Sequence, residues 1–265
     1  MNNILRCPKC NEPLILNNKS FICLNKHCYD LSKTNYLNLY KGNYNNNGDS
    51  KEMIKARTSF LNNNYYSVLA DKLNDIISSI KPLVIVDAAC GEGYYTNLMS
   101  FNNPLIDMYG VDLSKDAILH GSKANSNVQY IVGSIYDMPF NDNSVDLVFN
   151  IFAPTPDIEC NRILNSNGYL VIVDPDTYHL QELRDVMYDK PYNNIVDYKV
   201  YPNFELVNHY NIASEIYLND SKDIQDLLMM TPYYWKSSKD AIDRVKALDS
   251  LSLTIGFVIK VYKKK

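Results

Sequence analysis

One stretch decides the fold of this chain, and it reads Val84-Ile85-Val86-Asp87-Ala88-Ala89-Cys90-Gly91-Glu92-Gly93. It is an apolar, β-branched run that ends in an acidic residue, passes through a glycine turn and leads into residues 94–100 at helical spacing. Glycine lets a backbone approach a ligand closely, and the first turn of a helix presents free N–H groups. Strand, tight turn and helix in this order therefore predict a cradle for a nucleoside.

The acid at the end of this strand indicates the class of ligand. A dinucleotide site would hold an anionic pyrophosphate here, and Asp87 would repel it. S-adenosylmethionine has no phosphate and carries an ammonium and a sulfonium, so an acid beside the loop suits it. Asp112 closes a second apolar run nineteen residues after Gly93, near the spacing at which a carboxylate meets ribose hydroxyls. We expect a methyl-donor site, and an ordinary strand–turn–helix without a ligand is the alternative.

Length and composition set the broad class. The 265 residues suffice for one sizeable α/β domain and a small module. No run approaches the ~20 apolar residues of a membrane span, and the N-terminus lacks the apolar core of a signal peptide. We therefore expect a soluble, cytoplasmic protein with no membrane partner. Four of the six cysteines lie within residues 7–28, so a disulfide framework is not expected.

Charge is unevenly distributed along the chain. The net charge is −4, but residues 1–60 hold nine Lys/Arg and four Asp/Glu, which gives +5 there and −9 in the remainder. A phosphate backbone is attracted by clustered basic residues. The N-terminal end is therefore the candidate nucleic-acid face, although the overall acidity argues against nucleic acid as a partner.

Two pairs of metal-ligand residues mark the first thirty positions. Cys7 and Cys10 are followed after twelve residues by Cys23, and His27 comes four positions later. Two short apolar runs between the pairs favour a hairpin, a common scaffold for a closed zinc site whose metal supplies the folding free energy. From the residues alone the fourth ligand is open between His27 and Cys28. Four reduced surface cysteines are the alternative to a metal site.

The next segment predicts a linker and two helices. The asparagine-rich residues 43–47 favour a mobile linker. Residues 49–52, Asp-Ser-Lys-Glu, have the pattern of a capping box, and apolar residues at helical spacing follow them. A second helix is predicted because its apolar residues fall on one face, and these are Val68, Leu69, Leu73, Ile76, Ile77 and Ile80.

From there, strand-like and helix-like segments alternate. Such alternation with continuous apolar strands predicts a parallel sheet covered on both faces. Residues 251–262 form a long β-branched run suited to a final strand. The other predicted strands are residues 83–88, 108–113, 128–133, 145–152 and 168–174.

With a zinc module ahead of an Asp-x-x-Cys-Gly-x-Gly loop, the chain resembles the 23S rRNA guanine-N1 methyltransferases, the RlmA family with its tylosin-resistance members. The resemblance covers almost the whole length. The donor loop is shared by many methyltransferases. The zinc module and the segment Met230-Thr231-Pro232 with Trp235 restrict the resemblance to this one family. Besides Cys7, Cys10, Cys23 and His27 and the loop from Asp87 to Thr96, the matching points are Gly48-Asp49-Ser50, Met53, Ala56-Arg57, Phe152-Ala153-Pro154, Arg162-Ile163-Leu164, His179-Leu180, Met230-Thr231-Pro232 and Trp235.

The resemblance implies a fold class and a domain organisation. The fold is α/β, a Rossmann-like class I methyltransferase domain with a parallel sheet plus an antiparallel final strand, preceded by a small zinc-binding β-hairpin module. The implied division places a zinc-binding RNA-recognition module at residues 1–42 and a linker at residues 43–51. The S-adenosylmethionine-dependent methyltransferase domain then covers residues 52–265.

The resemblance also implies an activity. Members transfer a methyl group from S-adenosylmethionine to N1 of a guanosine in a hairpin loop of 23S rRNA near the peptide exit tunnel, and they are found as homodimers. The implied ligands of Zn²⁺ are Cys7, Cys10, Cys23 and His27, which excludes Cys28. The implied donor-binding residues, including those of the loop itself, are Tyr66, Asp87, Gly91, Glu92, Gly93, Asp112 and His179.

Three features of the sequence depart from the family pattern. Ala89 stands where most methyl-donor loops have their first glycine, which narrows the turn. The linker is mostly asparagine where some relatives are rich in Lys and Arg. Asp174 and Asp176 add negative charge near His179, where we would not expect it beside RNA.

The chemistry calls for a proton acceptor and an aromatic platform. The N1 proton of guanine must leave as the methyl arrives, and the target base must be splayed out and stacked. Phe152 and Asp174 are the weak catalytic candidates, Phe152 for stacking and Asp174 as a guess for the base. Core packing is an equal alternative for Phe152, and an exposed helix-start position is the alternative for His179. The other available aromatic residues are Tyr233, Tyr234 and Trp235.

Two rival functions come from other classes. A small-molecule methyltransferase on the same fold explains the donor loop but leaves the basic zinc module without a role. An RNA-binding protein that has lost catalysis is the second rival, and the intact Asp87, Gly91, Gly93 and Asp112 argue against it.

Overall fold

The structure is a computed structural model that describes residues 4–42, 49–196 and 198–265. Two sheets organise these residues. The small sheet is antiparallel and consists of β1 (Ile15–Asn17), β2 (Ser20–Ile22) and β3 (Cys28–Asp30). The strands of the large sheet are β4 (Leu37–Asn38), β5 (Val84–Ala88), β6 (Asp107–Asp112), β7 (Val128–Val132), β8 (Val145–Ile151), β9 (Leu164–Pro175), β10 (Phe204–Leu218) and β11 (Leu251–Lys264).

Helices connect most of these strands. In the described ranges they are α1 (Lys51–Asn62), α2 (Ser67–Ile80), α3 (Tyr94–Asn102), α4 (Lys115–Ala124), α5 (Asp157–Ile163), α6 (Gln181–Met187), α7 (Ser221–Met230), α8 (Pro232–Lys236) and α9 (Lys239–Lys246). The predicted helix start is confirmed, because the Ser50 side chain accepts a hydrogen bond from the Met53 backbone N–H at the start of α1. With Ser50 as the N-cap, the third helical position is Met53 and not Glu52, so the predicted capping box is wrong in detail. No helix in the described ranges is long and apolar enough to cross a membrane.

The large sheet has the strand order β10-β11-β9-β8-β5-β6-β7-β4. Neighbours from β9 to β4 run parallel, and β11 is antiparallel to both β9 and β10. The predicted parallel sheet with an antiparallel final strand is confirmed. The strand order reverses around β5, since β6 follows on one side and β8 on the other. Ligands of open α/β sheets bind at such a point.

The sequence did not predict β10. Its two end residues, Phe204 and Leu218, are buried, whereas most residues between them are exposed or half-buried. An edge strand with one solvent-facing side carries no continuous apolar run, so the local pattern is weak. Pairing with β11 along nearly its whole length defines this strand.

The two faces of the large sheet are covered differently. One face packs on helices, with Ile85, Leu147 and Phe257 in a core that includes residues of α1, α2, α6 and α7. The other face packs on α5 and on the N-terminal segment, where Leu14 and Leu37 lie in the same core as sheet residues. The strand β4 also pairs with β7. Residues 4–39, called the zinc-ligand segment here, therefore share a core with the large sheet.

The predicted linker falls largely outside the described residues. Residues 43–48 are not among them, and the predicted division at residues 1–42, 43–51 and 52–265 stays a prediction. What the structure adds is the contact between the first segment and the last, through β4 and through a backbone hydrogen bond from Arg6 to Pro139.

Candidate active site and metal centre

The zinc-ligand residues converge in space. One side-chain ligand atom from each of Cys7, Cys10, Cys23 and His27 lies within 4.8 Å of every other. The Cys10 and Cys23 sulfurs are 3.6 Å apart, and His27 Nδ1 is 3.5 Å from the Cys7 sulfur and 3.4 Å from the Cys23 sulfur. Three thiolates and one imidazole at this separation match the closed tetrahedral donor set of structural Zn²⁺.

The structure separates the two candidates for the fourth ligand. Cys28 lies in β3, is exposed, and has its sulfur 3.9 Å from a carboxylate oxygen of Asp30. His27 instead lies beside the sulfurs of Cys7 and Cys23. Adjacent residues at the start of a strand point in different directions, so only one of the pair reaches the cluster.

The environment of Cys7 favours a thiolate. Burial alone would raise the pKa of Cys7, but hydrogen bonds from the Tyr29 hydroxyl and from backbone N–H groups lower that pKa to about 6. The Tyr29 oxygen is 3.3 Å from the sulfur. Because a thiolate is the form that ligates metal, the residues present fit zinc.

A cavity of about 740 Å³ opens where the parallel strands end. The carboxyl ends of β5, β6, β8 and β9 contribute to its lining. Its size is that of an ordinary small-molecule pocket. It brings together nearly all the residues that the sequence assigned to the donor and the substrate: Tyr66, Asp87, Gly91, Glu92, Asp112, Phe152, Asp174, His179 and Tyr233.

Asp87 is a buried acid with one unused acceptor. Asp87 lies near the end of β5 and its exposed fraction is 2%. Thr96 donates a hydrogen bond of 2.6 Å to its Oδ2. The other oxygen, Oδ1, is buried and has no hydrogen-bond partner in the described residues. Burial raises the pKa of Asp87 to about 7, against the opposing effect of Thr96. A buried acceptor without a partner, on a residue that lines the cavity, fits the ammonium group of a cationic ligand.

The loop after β5 is left-handed at three positions. The φ angles are +67° at Ala89, +56° at Gly91 and +83° at Gly93. Ala89, which stands where most methyl-donor loops have a glycine, therefore has a backbone conformation that favours glycine. Gly93 precedes α3 and does not line the cavity, and a Cβ there would lie 2.0 Å from the Tyr130 hydroxyl.

Asp112 holds the loop from the neighbouring strand. Its Oδ2 accepts the Gly91 N–H at 2.9 Å and its Oδ1 accepts the Ser114 N–H at 2.7 Å. Each carboxylate oxygen has two lone pairs, so both can still accept a hydroxyl. Burial raises the pKa of Asp112, and the two backbone N–H groups oppose that shift. This geometry fits a carboxylate that receives two ribose hydroxyls beside the loop.

Arg57 connects helix α1 to the loop. Its Nη1 is 3.2 Å from Glu92 Oε2 and also forms an ion pair with Asp49. Burial raises the pKa of Glu92, and the Arg57 charge opposes this. A Cβ on Gly91 would lie 3.2 Å from the same guanidinium. The sequence analysis named Arg57 as a point of the family match but assigned it no role, because Glu92 lies 35 residues away along the chain.

His179 is buried and neutral. Its exposure is 8%, so the exposed helix-start alternative is wrong. The Gly256 N–H donates to Nδ1 at 3.2 Å, which leaves the ring proton on Nε2, 3.2 Å from the Tyr66 hydroxyl oxygen. Burial, followed by the nearby Arg184 charge, lowers the pKa of His179 to about 3. The imidazole therefore donates to Tyr66, and the Tyr66 hydroxyl proton is free for an acceptor in the cavity.

Phe152 has an unusual backbone for an aromatic residue. Its φ is +55°, its side chain is 43% exposed, and its N–H donates to the Val173 carbonyl at 2.9 Å. The ring stacks on His179 with centroids 6.5 Å apart and planes at 27°. Because left-handed conformations of such residues cost free energy and concentrate at functional sites, core packing does not account for Phe152.

Two buried cations lie behind residues that line the cavity. Arg184 is fully buried, donates to the His179 carbonyl and to the Tyr233 hydroxyl, and forms no ion pair with any described residue. Asp174, by contrast, is paired with Lys260, whose nitrogen is 2.8 Å from Oδ2. The sequence missed both cations, since a lone Arg or Lys in a helix or strand has no local signature.

Two family models match the chain. The model described as "RlmA, N-terminal" matches residues 5–41, and the model described as "Methyltransferase domain" matches residues 86–172. A protein of Bacillus subtilis (strain 168), named among the 23S rRNA (guanine-N(1)-)-methyltransferases, is 30% identical over 98% of this chain and 96% of its own length. The chain belongs to the 23S rRNA (guanine-N1)-methyltransferase family.

Further relatives of this methyltransferase bear related names. The 23S rRNA (guanine(748)-N(1))-methyltransferase of Streptomyces fradiae is 26% identical, and the match covers 96% of this chain and 95% of that protein. A 23S rRNA (guanine-N(1)-)-methyltransferase relative from Micromonospora griseorubida is 28% identical over 68% of each chain.

Membership agrees with the geometry of both sites. A methyltransferase of this family uses S-adenosylmethionine, and the acidic loop with its unpaired Asp87 oxygen fits a cationic donor. The N-terminal model covers the segment that carries the Cys7, Cys10, Cys23 and His27 cluster, which fits Zn²⁺. The assignment of each residue to a ligand contact stays a prediction.

Proposed function

We propose that this methyltransferase transfers a methyl group from S-adenosylmethionine to N1 of a guanosine in a hairpin loop of 23S rRNA. One observation carries the proposal: a single cavity joins the acidic donor loop to a strained, half-exposed aromatic ring at Phe152, in a chain that also carries the family's zinc module. The names of the full-length relatives support the choice of 23S rRNA as substrate.

The acidic wall binds the donor. Asp87 offers its free oxygen to the ammonium group, and Asp112 accepts the ribose hydroxyls while it fixes the Gly91 N–H. Glu92, held by Arg57, keeps the loop in place. When bound, S-adenosylmethionine supplies an electrophilic methyl group on its sulfonium.

The opposite part of the cavity receives the base. Phe152 presents its ring at the cavity lining, where a splayed guanine can stack. Holding N1 in line with the methyl group accounts for most of the rate. Asp174, which lines the same cavity and is kept in place by Lys260, is the candidate acceptor for the N1 proton.

The basic N-terminal segment supplies attraction for the RNA. Residues 1–60 carry +5 against −9 in the remainder, and zinc binding fixes the shape of the first part of this segment. A cytoplasmic location and a homodimer complete the proposal. Both were predicted from the sequence, and sedimentation analysis of the zinc-loaded protein tests the dimer.

A methylation assay with labelled donor tests the activity. We expect label in total rRNA from an unmethylated source and none in a mixture of small metabolites. Mass spectrometry of the labelled nucleoside should give 1-methylguanosine. Label in metabolites alone would favour the small-molecule methyltransferase, and RNA binding without any transfer would favour the inactive RNA-binding protein.

A further inference from the structure

A second depression lies on the other side of helix α1 from the donor cavity. It runs between α1 and α4 and is called the α1–α4 groove here. Its floor includes Ile54 and Leu119, and its basic lining residues are Lys51, Lys55, His120 and Lys123, all exposed.

The lysines of the α1–α4 groove form no ion pair with the residues that the structure describes. In the described part of the chain, the side chains of Lys51, Lys55 and Lys123 form no ion pair and no hydrogen bond. Lys41, in contrast, is paired with Asp137 at 2.7 Å. The carboxylate among the groove-lining residues is Asp116. Three ammonium groups without an ion pair among the described residues thus meet one lining acid, and Glu52, whose pKa the Lys51 charge helps to lower, lies next to Lys51 in the sequence. Lys51 and Lys55 belong to the basic residues 1–60, whereas Lys123 lies in the acidic remainder.

The zinc-ligand segment contacts α4 next to the groove. The Thr34 hydroxyl lies 2.7 Å from the Ser122 hydroxyl of α4. Lys33 precedes the first of these residues and Lys123 follows the second, and both lysines are exposed. The basic N-terminal surface therefore continues onto α4 and from there to α1.

The same helix links the groove to the chemistry. Met53 and Arg57 of α1 line the donor cavity, whereas Lys51 and Lys55 lie on its other side and line the groove. An α-helix with its side chains is about 10 Å across. The groove and the donor cavity are therefore about one helix diameter apart, a distance that a few nucleotides of one RNA strand can cross.

We propose that the α1–α4 groove binds the sugar–phosphate backbone of the RNA hairpin next to the guanosine in the cavity. The proposal depends on the proposed function for its choice of RNA as the partner. Ammonium groups on flexible stems neutralise phosphates without reading sequence. A backbone that crosses from Lys33 over Lys123 to Lys55 would reach α1 where Arg57 borders the donor loop. The groove thus extends the positive charge of residues 1–60, through Lys51 and Lys55, to Lys123 in the acidic remainder.

The test compares two triple variants that each remove three exposed, unpaired lysines. The groove variant is Lys51→Gln, Lys55→Gln and Lys123→Gln. The control variant is Lys81→Gln, Lys239→Gln and Lys246→Gln, none of which lines the groove or the cavity. Affinity for a synthetic 23S rRNA hairpin that contains the guanosine named in the Streptomyces fradiae relative is measured between 50 and 200 mM KCl.

Each lost phosphate contact lowers the slope of log K against log salt by about 0.7 to 0.9. The groove variant should therefore have a slope shallower by about 2 to 3, so that its loss of affinity over this salt range is roughly 20- to 40-fold smaller than that of the wild type. The control variant should keep the wild-type slope. Thermal melting and the affinity for S-adenosylmethionine, measured by calorimetry, should be the same in all three proteins.

Two results would overturn the proposal: a groove variant with the wild-type slope, or a control variant with an equal loss of slope. Methylation of the same hairpin by the wild type at 50 mM KCl is measured in parallel. If the wild type methylates the hairpin but the groove variant keeps the wild-type slope, RNA binding in the groove is rejected and the proposed activity is supported. A shallower slope only in the groove variant, without methylation by any of the proteins, supports the groove and rejects the activity.

Discussion

Donor binding should depend on pH through Asp87. Burial raises the pKa of this acid from 3.8 to about 7 in the free protein. A cationic donor stabilises the ionised form, so binding must first remove the proton whenever the pH lies below that value. The affinity for S-adenosylmethionine should therefore rise with pH up to about 7 and then level off.

The magnitude follows from the fraction of Asp87 that is ionised. With a pKa of about 7, about one molecule in 11 is ionised at pH 6 and about one in 100 at pH 5. The dissociation constant should thus be about 100-fold higher at pH 5 than at pH 8. About 0.9 proton should be released per donor bound at pH 6, and about half a proton at pH 7.

Isothermal titration calorimetry in two buffers of different ionisation enthalpy measures both quantities. Glu92 and Asp112 also have raised pKa values because of burial, so the variant Asp87→Asn is the control that isolates one group. It should bind the donor more weakly at pH 8 and lose most of the pH dependence. A wild-type affinity that is flat from pH 5 to 8, or binding without proton release at pH 6, would refute the reasoning.

The same pKa has a consequence for folding. The folded state of the free protein binds more protons than the unfolded state between about pH 4 and 7, because its Asp87 pKa is the higher one. The contribution of Asp87 to stability therefore falls as the pH rises through this window. Saturating donor should restore the melting temperature at pH 7 and above.

Three further predictions concern the metal, the ribose and the loop. Metal analysis should find one zinc per chain in the wild type and in Cys28→Ser but none in Cys7→Ser/Cys23→Ser, and full zinc retention in the double variant would reject the ligand set. Asp112→Ala should weaken donor binding ~30-fold or more, since losing two charge-assisted hydrogen bonds costs on the order of 2–4 kcal/mol, and an unchanged calorimetric affinity would remove Asp112 from the site. Ala89→Gly should raise the free energy of unfolding by up to about 1 kcal/mol, because φ is +67° at this position, and a lower melting temperature would contradict this.

Much of the fold could be predicted because it is encoded locally. The run from Val84 to Ser100 has the composition of strand, turn and helix in consecutive residues, and the structure has each element there. Ser50 begins α1 because its hydroxyl satisfies a backbone N–H three residues later. The edge strand β10 was missed because its stability comes from pairing with β11, which the residues of β10 alone do not reveal.

The candidate sites divide in the same way. The spacing of Cys7, Cys10 and Cys23 predicted a metal site, but the residues alone left His27 and Cys28 as alternatives. Only the position of the two side chains, one at the cluster and one on an exposed strand, separates them. Arg57 and Arg184 were missed for a related reason. One partner of each, Glu92 for Arg57 and Tyr233 for Arg184, is distant in the sequence and becomes a neighbour only in the folded chain.

The sequence by itself determined the class of ligand, the parallel sheet and the metal-binding segment, because residue type and short spacing encode each of them. Only the tertiary structure decided which residues share the cavity and how they are charged there. Desolvation raises the pKa of Asp87 and lowers that of His179, and burial depends on what the rest of the chain places around each group. The tertiary structure also decided that the zinc-ligand segment packs on the large sheet, since apolar residues of both parts are buried in one shared core.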